Sequence, residues 1–160
     1  YYDGFHNTTL ESNIIANLPV AGSASRAFSM QLNFPDELYY LRTNGNGIMD
    51  FETDMFPYNQ TDLTRNQTSL KVLGDENAIK GLKLELRSEV LNATVKVTTN
   101  NEGKVAAAKF NALNNSTMID QWTVTVPKAD NPQLVIDDQL DLSGISDMIF
   151  LTEYNFTYRT

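Results

Sequence analysis

Four aspartates lie close together near the end of the chain: Asp137, Asp138, Asp141 and Asp147. Cleavage of a glycosidic bond needs two carboxylates at a fixed separation across that bond. Sequence spacing does not set such a separation, and loop acids commonly do no more than face solvent. Ser143-Gly144-Ile145-Ser146-Asp147 reads as a tight turn, with Ser146 or Asp147 accepting from nearby backbone N–H groups. A second oxygen-rich stretch runs from Thr43 to Asp54. Asn44, Asn46 and Asp50 alternate as calcium-loop ligands do, with Gly47 at the sharp bend. Arg42 holds the first ligand position and Thr53 the twelfth, so the acids such a loop needs at its ends are missing. Asn44-Gly45 also reads as a hairpin turn. His6 is the sole histidine, and no nucleophile-elbow motif accompanies it. Cysteine is absent, which removes disulfides, thiolate metal sites and thiol catalysis. No cofactor motif is present. The expectation is a protein without catalytic residues, cofactor or metal.

Two other residue sets bear on binding. Tyr39, Tyr40, Phe56, Tyr58 and the aromatics of 154–158 could stack on sugar rings if they were exposed, although alternation sends most of them inward. Asn-x-Ser/Thr acceptors occur at Asn7, Asn59, Asn66, Asn92, Asn114, Asn115 and Asn155. With 17 Asn and 25 Ser plus Thr among 160 residues, random placement gives about three. An occupied acceptor must lie on the surface. The excess fits exposure to an N-glycosylation pathway on the cell exterior, or a chain rich in turn residues that meets the pattern by accident. Asn114 and Asn115 overlap and cannot readily both be modified.

The elements that must carry these residues have a period of two. In residues 26–34, Phe28, Met30, Leu32 and Phe34 alternate with polar residues, and Pro35 ends the strand. Leu82, Leu84 and Leu86 alternate with Lys83, Glu85 and Arg87. Leu91, Ala93, Val95 and Val97 oppose Asn92, Thr94, Lys96 and Thr98, which puts the Asn92 acceptor on a polar strand face. Residues 100–103 turn into a further strand over 104–110. Trp122, Val124 and Val126 oppose Thr123 and Thr125 before Pro127. Tyr154, Phe156 and Tyr158 close the series. Only 36–41 or 137–142 has room for a single helical turn. The fold class is all-β: one antiparallel β-sandwich or jelly-roll domain over 26–160. Residues 1–25 form an N-terminal arm. Its apolar strand, with Ile14, Ile15, Leu18 and Val20, precedes a flexible stretch at 21–25 and is detachable.

Length and charge limit the function. One domain of 160 residues, 41% of them hydrophobic, can bury a full core. No apolar run reaches 18 residues, so no helical membrane span is expected. The net charge of −8 and scattered Lys and Arg disfavour nucleic acid and anionic lipid. The chain begins Tyr1-Tyr2-Asp3-Gly4, as a processed product would. Absence of disulfides leans towards a microbial source.

Residues 117–158 carry a family likeness. A Trp strand ending in Pro (Ile119 to Pro127) is followed by Ile145-Ser146-Asp147-Met148-Ile149 and a final Tyr-containing strand. This order resembles the C-terminal β-sandwich of the A component of bacterial insecticidal toxin complexes. Ala78-Ile79-Lys80-Gly81-Leu82 is similar to that family's central strand. The resemblance implies a sandwich that docks a second toxin component; it transfers no functional residue.

These readings converge on an extracellular or cell-surface structural subunit that assembles with copies of itself into an oligomer or filament by donating the N-terminal strand. The alternatives are a carbohydrate-binding module and a toxin-component docking module, with glycans or another protein as partner.

Overall fold

Side-chain alternation dictates the strands. Leu82, Leu84 and Leu86 are buried while Lys83 between them is exposed. Trp122, Val124 and Val126 are buried with Thr123 and Thr125 only half-buried. A computed structural model describes residues 21–159. Among them run ten strands: β1 (Ala21–Ser29), β2 (Asn46–Phe51), β3 (Gln60–Gly74), β4 (Lys83–Ser88), β5 (Ala93–Thr98), β6 (Lys104–Val105), β7 (Asp120–Thr125), β8 (Val135–Ile136), β9 (Gln139–Leu140) and β10 (Ile145–Tyr158). One antiparallel sheet has the order β1-β10-β3-β6, the other β2-β7-β4-β5, and β8-β9 is a small hairpin. The architecture is the expected antiparallel sandwich.

The sheets meet through aromatic side chains. Phe28 and Phe150 come from the first sheet, Phe51 and Trp122 from the second. Ring centroids lie 5.0 Å apart for Phe28–Phe51, 5.8 Å for Phe51–Trp122 and 6.1 Å for Trp122–Phe150, all edge-on. Each such contact adds roughly 0.5–1.5 kcal/mol beyond area burial. The long central strands β3 and β10 pair along their length with three register shifts. The shift between Ile145 and Asp147 lets Asp147 and Met148 both turn inward.

Several local expectations are corrected. Residues 21–25 are not flexible: they pair with 153–157 as the first half of β1. The strand expected over 26–34 stops at Ser29, and Met30–Asn33 form a helical turn. Ser29 Oγ accepts from Leu32 N, and Asp147 accepts from Ser29 Oγ and Gln31 N. Leu32 therefore faces solvent. Pro35–Asn44 form a helix, α1, of ten residues rather than one turn. Pro35 suits its first turn, Asp36 and Glu37 favour its N-terminal dipole, and Gly45 at φ 83° ends it by donating to Leu41 O. Thus 43–47 is a helix end followed by a strand, and neither a hairpin turn nor a ligand loop. The strand expected over 104–110 is two residues long. Ala107–Leu113 form a 3-10 helix instead, whose three-residue repeat buries both Phe110 and Leu113. Residues 137–142 are not helical: Asp137 and Asp138, both at positive φ, turn β8 into β9. Asn92 lies in the β4–β5 turn at φ 49°, not on a strand face.

Candidate docking surfaces

The buried polar groups have structural work. Asp147 takes hydrogen bonds from Ser29 Oγ, Gln31 N and Met148 N. Asp120 takes them from Ser88 Oγ, Trp122 Nε1, Val90 N and Gln121 N. The two sites repeat one device. In each, a buried aspartate holds a serine hydroxyl that accepts from the backbone N–H three residues on, Leu32 N or Leu91 N, and so fixes a chain reversal. The other terminal acids are dispersed: Asp141 accepts from Ser143, and Asp138 pairs with Lys128 at 2.9 Å. The four aspartates flagged by the sequence therefore do separate jobs. Only Asp147 met its expected role as acceptor of backbone N–H groups.

Nothing in the sequence pattern marks Arg65 as a buried cation, yet it is fully withdrawn from solvent. Its guanidinium carbon lies 4.0 Å from the Trp122 ring centre, and Nη1 donates to Leu113 O at 3.2 Å. Nε and Nη2 have no hydrogen-bond partner among the described residues. Burial lowers its pKa from the ordinary arginine value to about 10, against the opposing pull of Asp120.

The surface presents a cleft, a groove and the outer strand edges of the two sheets. A cleft of about 580 Å³ is lined by Asp54, Phe56, Tyr58, Asp62, Ile119 and Arg159 among others. Tyr58 is 83% exposed, with the Arg159 guanidinium 5.0 Å above its ring. A shallow groove lies beside β2, where Leu32 and Ile48 are exposed amid acids. The outer edges of β1 and β2 have no strand partner among the described residues.

Other predicted residues fall as follows. Asn46 and Asp50 share the exposed face of β2, four residues apart. At a rise of about 3.3 Å per residue that is about 13 Å, beyond the joint reach of two short side chains onto one ion. Asn44 ends α1. No group of three or more His, Asp or Glu suited to a metal occurs among the described residues. Asn59, Asn66, Asn92, Asn115 and Asn155 are exposed and Asn114 is half-buried. Asn66 Nδ2 donates to Asn155 Oδ1 at 3.4 Å, so two acceptors adjoin. Tyr39, Tyr40 and Tyr58 are exposed, whereas Phe56 and Tyr154 are core residues; no aromatic stripe links them. His6, Asn7, Ile14, Ile15, Leu18 and Val20 lie outside the described residues.

No protein-family model matches this sequence, and no curated protein matches it. Solved structures do. TcaA-TcaB of Yersinia pseudotuberculosis, a Tc toxin A-component structure, aligns over 96% of this chain at 12% identity and TM-score 0.52. TcdA4 of Morganella morganii aligns over 93% at 12% identity and TM-score 0.49, and FLHE over 89% at 9% identity and TM-score 0.42. The chain covers 10% of the TcaA-TcaB chain, 8% of TcdA4 and all of FLHE. The resemblance read from residues 117–158 thus extends to the backbone of nearly the whole chain: this protein has the sandwich fold found within a Tc toxin A component.

Proposed function

We propose that this domain is a non-enzymatic docking module that works outside the cell, joining a larger assembly by binding another protein. The observation that carries the reading is the outer edge of β1, which has no strand partner among the described residues. Nine residues, with exposed Ala21, Ser23 and Ser25, leave a row of backbone donors and acceptors on the side away from β10. Such an edge is a ready template for strand addition. The fold likeness to TcaA-TcaB, of which this chain matches a tenth, supports a module within something larger. The exposed acceptors Asn59, Asn66, Asn92, Asn115 and Asn155 support an exterior location.

The same edge favours a second reading, in which the partner is another copy. Ile14, Ile15, Leu18 and Val20 from one chain would then add to an open edge of the next. Glycan binding has narrower support, from exposed Tyr58 in the terminal cleft, and calorimetry against a glycan panel tests it.

Mass photometry of the protein purified from its native source tests the main reading. Docking predicts a complex of fixed stoichiometry containing a second protein. Homopolymers that vanish when residues 1–20 are removed would move the assignment to self-association. A monomer at all concentrations would refute both.

A further inference from the structure

The groove beside β2 has a composition that selects its occupant. Leu32, on the helical turn after β1, is 81% exposed, and Ile48, on the edge strand β2, is 39% exposed. Around them stand Glu37 on α1, Asp50 on β2, and Glu52 and Asp54 just beyond it. Among the described residues, no Lys, Arg or His lines this groove or its continuation past Thr53, Ile119 and Gln121. Asp50, Glu52 and Asp54 are exposed and Glu37 is half-buried, and none of the four joins an ion pair among the described residues. Glu37 Oε1 accepts from Ile48 N at 3.1 Å, so α1 occupies the backbone donor at this point of the β2 edge. The remaining recognition must come from apolar contact and charge.

We propose that this groove receives an extended basic segment of the docking partner, with aliphatic side chains on Leu32 and Ile48 and lysines or arginines facing Glu37, Asp50, Glu52 and Asp54. Exposed apolar side chains ringed by charge of one sign favour an amphipathic partner of the opposite sign. The inference rests on the docking reading and names its surface. The chain's own first twenty residues are a poor occupant, because they contain Asp3 and Glu11 and no Lys or Arg. A second copy offering the same face would bring four more carboxylates against these four.

The test uses the full chain and, as probe, an eight-residue peptide alternating lysine with leucine or valine, beside a control in which glutamate replaces lysine. Amide chemical shifts are followed at 50 and 300 mM salt. The proposal predicts saturable shifts confined to residues 32–37, 48–54 and 119–121, absent with the glutamate peptide, and at least tenfold weaker binding at the higher salt. It also predicts at least tenfold weaker binding for the triple variant Asp50→Asn, Glu52→Gln, Asp54→Asn, and severalfold for Leu32→Ser. All four positions are exposed, so the variants keep the core. Shifts scattered over the acidic surface, or unchanged affinity in the variants, would overturn it. A second arm separates this claim from the one beneath it. A native complex that is lost in the triple variant supports the groove. A native complex that the triple variant still forms at full affinity overturns the groove and leaves docking intact. An unsubstituted chain that forms no native complex removes docking, and the groove's role with it.

Discussion

The guanidinium of Arg65 lies over the Trp122 ring, its carbon 4.0 Å from the ring centre, with both residues withdrawn from solvent between the two sheets. Asp120 ties the same spot together by accepting from Trp122 Nε1 and Ser88 Oγ. The two charged residues are not equivalent. Arg65 leaves Nε and Nη2 without hydrogen-bond partners among the described residues, while Asp120 has four donors. Replacing Arg65 removes a poorly satisfied cation and leaves Asp120 with its four donors, so its loss should cost less than loss of the aspartate. Arg65→Met should lower the urea midpoint less than Asp120→Ala does. Asp120→Ala should lower stability by about 3–5 kcal/mol, because it strands the Ser88 hydroxyl, the indole N–H and the backbone N–H groups of Val90 and Gln121 and removes the charge that offsets burial of Arg65. A larger loss for Arg65→Met than for Asp120→Ala would contradict this assignment.

Gly47 marks the closest approach of α1 to β2. A Cβ there would stand 2.8 Å from Glu37 O and 3.3 Å from Leu41 Cβ. The backbone oxygen cannot swing aside as a side chain can. Gly47→Ala should cost about 1–3 kcal/mol, and Gly47→Val more. Thermal melts of the two variants check the order; an unperturbed Gly47→Ala would mean that α1 shifts freely on the sheet.

Ser143 acts on Asp141 through its hydroxyl at 2.6 Å and its backbone N–H at 3.0 Å. The hydroxyl bond first, then the backbone bond, hold the Asp141 carboxyl below its ordinary 3.8. A carboxylate depressed in the folded state favours folding above its unfolded pKa, and that contribution is lost as pH falls through the folded value. NMR titration of the carboxyl carbon should therefore place Asp141 below 3.8 and move it upward in Ser143→Ala. An unmoved titration would refute the hydrogen-bonded turn.

Much of the sandwich is legible because half-buried strands announce themselves. The Leu82–Leu86 alternation, the Trp122 strand and the Tyr154–Phe156 strand all lie where their period of two places them. The misreadings have physical causes. Phe28 lies on the strand as its period requires, and Met30, Leu32 and Phe34 continue the rhythm by coincidence after the strand has ended at Ser29. The switch to a helical turn is imposed by Asp147, 118 residues from Ser29. α1 buries only Leu38 and Leu41, too few apolar positions to display a helical stripe. Ala107–Leu113 hide a three-residue repeat behind alanines. The groove is not legible in the sequence, where Asp50 reads as a calcium-loop residue, because its walls come from three separated segments.

Asn66 and Asn155 face each other across neighbouring strands of one sheet, their side chains 3.4 Å apart. Two glycans rooted there would occupy the same space above the sheet. After expression in a host with N-glycosylation, peptide mass mapping should find either asparagine modified and no molecules with both. Abundant double occupancy would mean that β3 and β10 separate at this end.

Hydrogen–deuterium exchange on the free protein and on its native complex tests the docking claim most directly. Protection should rise along β1, residues 21–29, where the outer edge gains a partner, and along the groove at 48–54, while β5 on the far edge of the other sheet stays unchanged. Equal exchange along both edges in the free and assembled states, with new protection confined to other faces, would contradict the account.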